Sequence, residues 1–453
     1  MSERLTIVSG DGHAEIPPDV WSHYLDSEFH EYLPLAREDN EMWARQTEQF
    51  FPITPEFLEV FDTEGRYAAG GYLGVWDLDR RLAEMDREGV AAELINQGDA
   101  RAIGLFMPLY REYPEAVLAA GRRAYHRWAA DALGGATDRL LLVGDAAAAV
   151  SMDEMLSELR WLGDHGFAAT EMPFKVHRPE MPPLYDSYYD PFWSACEDQG
   201  FPLVVHAGYG LEQAEFMTKM KAIEEQMRAA GRTNILEEVH GSSENFLALD
   251  LRPRRALWQL MLGGVFDRHP RLKVALVEIR GDWLPATLRN LDEVFKRSAA
   301  TLPAKRPPSE YWKSNCLVGL SFVHKAEVGI RQQIGIDTIT FGRDYPHHEG
   351  TWPNTADWLT DAFRGVPDDE LRLILGENSM RFFGLDRTRL AQIADRIGPT
   401  IDQITGRTPS LDPRLVEHFD HRGGYLKPVE QVDIDAMDVL LRQDVSGASQ
   451  RGR

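Results

Sequence analysis

The sequence predicts a (β/α)8 barrel, and three observations carry that expectation. Eight short apolar runs recur along the 453 residues. Amphipathic helical patterns lie between them, as a strand–helix repeat requires. No GxGxxG stretch supports the alternative, an open doubly wound sheet.

The apolar runs are LTIVSG (5–10), AAELIN (91–96), RLLLVG (139–144), GFAATEM (166–172), PLVVHA (202–207), KVALVEI (273–279), NCLVGLSF (315–322) and TITFGR (338–343). Most are continuously apolar rather than alternating, the mark of strands covered on both faces. Helices are predicted over 77–89, 152–166, 191–200, 256–270, 284–298 and 325–335. The first places Leu78, Leu82 and Met85 at helical spacing and stops at Gly89.

The barrel is expected to occupy residues 1–386. Two stretches exceed a minimal barrel. Residues 16–76, rich in aromatics such as Trp21, Trp43, Phe57, Tyr67 and Trp76, follow strand one; residues 208–253, with His240, follow strand five. As insertions between a strand and its helix, both are expected over the mouth. The aromatics of 16–76 are expected mainly to pack that insertion on the barrel. Residues 387–453 form a C-terminal extension, with a helical piece near 430–442 and a polar end, SGASQRGR, expected to be disordered.

Composition narrows the partners. Seventy-two acidic against 49 basic residues give a net charge of −23. Such a surface repels phosphate backbones, so no nucleic-acid partner is expected. The two cysteines, Cys196 and Cys316, are too few for a disulfide framework. The N-terminus lacks a basic segment followed by an apolar one, and no run of eighteen apolar residues exists. A cytoplasmic protein with no membrane contact is expected. The long insertions and tail suggest a homo-oligomer, a dimer.

Polar residues at the ends of these strands carry the chemistry. Asp11 and His13 stand two apart, so on a strand both face one side. Glu171 closes strand four, His206 strand five, Glu278 strand six and Asp344 strand eight. In a barrel these ends converge on one mouth. Imidazoles and carboxylates gathered there suit a divalent metal.

The chain resembles the amidohydrolase superfamily, in the branch that includes aminocarboxymuconate semialdehyde decarboxylase and related non-oxidative decarboxylases. The resemblance rests on SGDGHAEIP at the start, WDLDRRLAEMDREGV (76–90), GGVFDRHPRLKVALVE (263–278), FGRDYPHHEGTWP (341–353) and ILGENSMRFFGLD (374–386). It implies that Asp11 and His13 are the strand-one ligand pair, His206 the strand-five ligand, and Asp344 a carboxylate that binds metal and takes a proton from water. Glu278 stands where those decarboxylases carry a catalytic His. A carboxylate cannot serve as an imidazolium acid, which shifts the expectation from decarboxylation to hydrolysis.

The expected activity is therefore metal-dependent attack of water on an amide, ester, lactone or thioester, with Asp344 or Glu278 as base. Decarboxylation of an aromatic or unsaturated acid is one alternative and a dinuclear Fe/Mn oxygenase another. Zinc is the first expectation for the metal, held by Asp11, His13, His206 and Asp344. Manganese or iron is the alternative, with Glu171 and Glu278 available to a second ion. His347 is expected to take part in catalysis. Arg280, Arg343, His348 and His240 are expected to bind a small-molecule substrate, the arginines by clamping a carboxylate.

Overall fold

The computed structural model describes residues 4–50, 53–98, 102–148, 151–173, 181–209, 243–320, 323–422 and 431–451, with Glu225 and Ala229. Eight parallel strands run in chain order around a barrel: β1 (Ile7–Ser9), β2 (Val90–Gln97), β3 (Leu140–Gly144), β4 (Ala169–Glu171), β5 (Leu203–His206), β6 (Val274–Val277), β7 (Cys316–Leu320) and β8 (Ile339–Phe341). Each falls within one of the apolar runs or one residue beyond it. A short continuation of β1, His13–Ala14, pairs with Asn96 and Gln97 at the end of β2.

Backbone hydrogen bonds bring the last strand to the first. Gly10 N–H donates to Phe341 O at 2.6 Å and His13 N–H to Tyr345 O at 2.7 Å. Asp344 N–H donates to Asp11 O at 3.3 Å. The two ends that carry Asp11, His13 and Asp344 are thereby tied by main chain, independent of any side chain.

Helices follow the strands as α1 (Leu78–Arg87), α2 (Glu115–Leu133), α3 (Met152–Asp164), α4 (Asp190–Gln199), α5 (Ser243–Leu262), α6 (Leu284–Ser298), α7 (Lys325–Gly329) and α8 (Thr355–Phe363). Asp77 and Ser151 cap the first turns of α1 and α3 through their side chains. α2 is not announced by the sequence pattern. It buries Val117, Ala119, Ala120, Gly121, Ala124, Tyr125 and Trp128, so small residues blur its amphipathic period. Gly121 permits the close packing, since a Cβ there would lie 2.3 Å from Leu105 O.

Alternate strand residues separate two cores. Val8, Ala92, Leu94, Leu141, Val143, Ala169, Val204, Ala275 and Val277 pack together with Met380, Leu390 and Ile393. Val204 and His206 share a face of β5, so this cluster is the barrel interior beneath the mouth. Met380 lies on α9 (Asn378–Phe383), and Leu390 and Ile393 on α10 (Arg387–Ile397). Leu140, Leu142, Leu203, Val205, Val274 and Leu276 point the other way and join the larger core with the helices.

The extension continues through α11 (Pro413–Arg422) to α12 (Gln431–Arg451). Over 446–451 this corrects the expected disorder. Ala448 is buried, and Asp444 of α12 accepts from Arg255 Nε and Trp258 Nε1 at 2.8 Å and Gln259 Nε2 at 2.9 Å. Docking on α5 supplies the stability that the polar sequence lacks by itself. Among the described residues no helix is long and apolar enough to cross a membrane.

Candidate active site

The strand ends deliver their polar side chains as the barrel requires. Asp11 and Asp344 are fully buried, His13 nearly so, and His206 and Glu278 are partly open to the mouth. Glu278 and Asp344 both take left-handed backbone conformations, with φ of 51° and 52°. That region costs a non-glycine residue about 1 kcal/mol or more, and such strain gathers at functional sites. Here it turns both carboxylates off their strands at the mouth.

His13 is the hub. Its Nε2 lies 3.1 Å from Asp344 Oδ1, 3.6 Å from Glu278 Oε2 and 3.8 Å from Asp11 Oδ1. His206 Nε2 lies 2.9 Å from Glu278 Oε2 and 3.7 Å from Asp11 Oδ1. The His206 Nδ1 stands 3.1 Å from the Ala207 carbonyl, which fixes that nitrogen as an N–H and leaves Nε2 to face the carboxylates or a cation. His347 stacks on His13 at 4.1 Å between centroids, with its Nδ1 3.0 Å from Asp344 Oδ1. Asn96 Nδ2 donates to Asp11 Oδ1 at 2.8 Å and holds that carboxylate in place.

Two overlapping donor groups result. Asp11, His13, His206 and Glu278 each offer one atom within 4.8 Å of the others, and so do His13, Glu278, Asp344 and His347. The fit to a cation rests on the donors themselves. His13 Nε2 and His206 Nε2 are buried without a well-formed hydrogen bond. Such groups are costly unless something charged satisfies them.

The electrostatics agree. Burial opposes a charged imidazole at His206, yet Glu278 and Asp11 outweigh it and raise its pKa well above the ordinary value. Burial likewise opposes ionised Glu278, but His206 and His13 hold it well below the usual carboxylate range. The chain alone draws protons onto its imidazoles to balance its carboxylates. A divalent cation supplies the same positive charge and displaces those protons. Asp344 behaves differently: burial first, then the charge of Glu278, pushes it well above the usual range.

The site opens to a cavity of about 290 Å³ lined by His13, His206, Glu278, His347 and His348 on one side and by Trp43, Ile103 and Met107 on another. Trp43, from the 16–76 stretch, is part of this lining. Other aromatics of that stretch, Trp21 and Phe61, are buried in packing.

Several expectations are revised by this geometry. Arg343 does not line the cavity. It is fully buried, its Nε donates to Glu93 Oε1, and its Nη2 donates to Glu93 Oε2 at 3.0 Å. Arg280 is also buried, 3.5 Å from Asp282, and is absent from the cavity wall. Glu171 belongs to neither donor group among the described residues. It sits instead by Asp145 and Arg122, where burial and the Asp145 charge push its pKa up to about 7. His240 lies outside the described residues.

Sequence reasoning missed the layer behind the donors. Glu93 also accepts from Arg81 Nη1 at 2.7 Å, while Arg81 Nη2 donates to the His13 carbonyl. Gly12 allows this approach, since a Cβ there would lie 2.7 Å from Glu93 Cδ. The lone carboxylate inside AAELIN was the available signal, because a buried charge needs a partner.

Glu171 yields a stability prediction for the metal-free protein. Its pKa is about 7 folded against 4.5 as the ordinary value. The folded state therefore binds more protons between those values, and stability falls as pH rises through that window. Glu171→Gln removes this fall. Calorimetry from pH 4.5 to 8 should show the variant's melting temperature gaining on wild type as pH rises; a constant difference contradicts the assignment.

A profile of the amidohydrolase family matches residues 11–385. The chain belongs to the amidohydrolase family. The match begins at Asp11, the first donor, and ends two residues before α10. Among curated proteins, the γ-resorcylate decarboxylase of Rhodococcus jostii (strain RHA1) is 26% identical over 249 residues, 53% of this chain and 68% of that protein. The γ-resorcylate decarboxylase of Rhizobium sp. (strain MTP-10005) is 26% identical over 235 residues, 50% and 64% of the two chains. In structure, 5-carboxyvanillate decarboxylase LigW from Sphingomonas paucimobilis superposes with a TM-score of 0.53 at 18% identity, covering 84% of this chain and all of that one. The 5-carboxyvanillate decarboxylase of Novosphingobium aromaticivorans, solved with manganese and 4-hydroxy-3-methoxy-5-nitrobenzoic acid, gives 0.54 at 18% identity, over 84% and 96%. The structural likenesses establish the barrel fold. This amidohydrolase is thus an enzyme whose similar relatives are decarboxylases. That finding overturns the expectation of a hydrolase acting on an amide, ester, lactone or thioester.

Proposed function

We propose that this amidohydrolase is a metal-dependent, non-oxidative decarboxylase of aromatic carboxylic acids. The observation that carries the reading is Asp344, a buried acid beside His13 and His347 whose oxygens lack a well-formed hydrogen bond. Burial and the Glu278 charge raise its pKa well above the usual carboxylate range, which favours the protonated acid. A decarboxylase needs such an acid, because the ring carbon that loses its carboxyl group must gain a proton. The decarboxylase relatives support the same choice. Glu278 in place of a catalytic His is then no obstacle: it is a donor, and the proton comes from strand eight.

In this reading Asp11, His13, His206 and Glu278 hold one ion. The two donor groups share His13 and Glu278, which favours one ion per chain over two. With two carboxylates among four donors we take manganese rather than zinc as the ion. When bound, it supplies Lewis-acid polarisation of a substrate oxygen. The chain does the rest. The apolar wall of Trp43, Ile103 and Met107 seats the ring and thins water around it. Asp344 gives its proton to the ring carbon bearing the carboxylate. The carbon–carboxylate bond then breaks, its electron pair returns to the ring, and carbon dioxide leaves. His347, stacked on His13 and touching Asp344, orients that acid.

The test is carbon dioxide release from 2,6-dihydroxybenzoate and 5-carboxyvanillate by manganese-loaded protein. Release is expected, to be lost on chelation and restored by manganese. Release that survives chelation, or none from any aromatic acid in a broader panel, refutes the reading.

A further inference from the structure

The cavity has a second polar end. Arg122 of α2 lines it, with its Nε 3.4 Å from Asp145 Oδ2 and its Nη1 donating to Gln97 Oε1. Gln97 Nε2 donates in turn to both Glu15 oxygens at 3.2 Å. Gly98 follows Gln97 and packs against His13: a Cβ at Gly98 would lie 3.2 Å from His13 Nδ1. One strand end thus joins the donor cluster to the arginine. The same cavity wall carries the apolar side chains of Trp43, Ile103 and Met107.

Charge makes Arg122 distinctive. Among the described residues that line the cavity it is the one arginine or lysine, while Glu15, Glu278 and Glu349 supply negative charge. An acidic substituent of a bound ring finds in Arg122 the one arginine or lysine among the described lining residues. A guanidinium carries five N–H groups in a rigid fork; Asp145 and Gln97 engage its Nε and Nη1, and Glu171 and Glu15 also act on its charge. Gln97 and Asp145 fix the plane of that fork, which limits the entropy lost on binding an anion.

We infer that Arg122 determines specificity by binding a second acid group on the aromatic ring, one that is not released as carbon dioxide. The inference rests on the decarboxylase reading for its substrate class but not for its test. The preferred substrates are then aromatic acids with two anionic substituents.

Calorimetric titration of the manganese-loaded full chain with isophthalate and with benzoate tests this directly. Wild type should bind isophthalate about tenfold or more tighter than benzoate, as a charge-assisted contact implies. Arg122→Gln should lose that preference while its benzoate affinity stays unchanged. Arg122→Lys keeps the charge but not the fork and should fall between. Equal preference in wild type and Arg122→Gln overturns the inference, as does a benzoate affinity that falls in parallel. If Arg122→Gln does not fold, the preference of wild type over Arg122→Lys decides, and a wild type without any preference overturns the inference. Carbon dioxide release, measured separately, keeps the two proposals apart: discrimination without release refutes the decarboxylase reading and leaves the assignment of Arg122 standing.

Discussion

Asp344→Asn should lower the decarboxylation rate about a thousandfold, the middle of the range for loss of a positioned acid. Asparagine matches aspartate in shape and tolerates the left-handed backbone that residue 344 adopts, so the fold should persist. The amide cannot give up a proton to carbon. Because the proposed ion is held by Asp11, His13, His206 and Glu278, manganese content should remain near that of wild type. Elemental analysis alongside turnover separates the two roles. Loss of the metal together with activity would make Asp344 a ligand rather than the acid, and full activity would remove it from the chemistry.

The second large effect is on stability. Glu93 is fully buried between two fully buried arginines, Arg81 and Arg343. Removing the shared carboxylate in Glu93→Ala leaves Arg81 without its carboxylate and Arg343 with only the more distant Glu88, 4.0 Å away. Breaking a buried pair costs about 3–5 kcal/mol, and here one deletion breaks two. The loss also reaches the site, since Arg81 holds the His13 carbonyl and the Arg343 N–H donates to Ser9 Oγ at 3.0 Å. Urea unfolding of wild type and Glu93→Ala measures this. A loss below about 1 kcal/mol would mean that the charges find solvent or other partners, against the picture of a closed ion network under the mouth.

Much of the barrel was legible because its strands are covered on both faces and read as unbroken apolar runs. The donors were legible because a polar residue closing such a run has few places to go except the mouth. His13, His206 and Asp344 met there as expected. What failed was direction. Arg343 directly precedes Asp344, yet its side chain turns to the buried Glu93 and not to the cavity. α2 escaped because alanines and a glycine are interspersed among Val117, Tyr125, Trp128 and Leu133 on its buried face and blur the apolar spacing. With it went Arg122. The last turns of α12 escaped for a related reason. Gly447 and Ala448 look like a flexible polar tail until Tyr185 and α5 are seen beneath them; a Cβ at Gly447 would lie 2.2 Å from the Tyr185 hydroxyl. Small residues signal close packing only once a partner surface is known.

Reaction in deuterium oxide gives the most direct test of the central claim. Manganese-loaded protein is incubated with an accepted aromatic acid in deuterium oxide under anaerobic conditions, and the product is weighed by mass spectrometry. Non-oxidative decarboxylation with an exchangeable acid at Asp344 predicts a product that has lost carbon dioxide and carries one deuterium at the vacated ring carbon. A product that retains its carboxyl group, or one that forms only when dioxygen is admitted and gains an oxygen atom, would contradict the account.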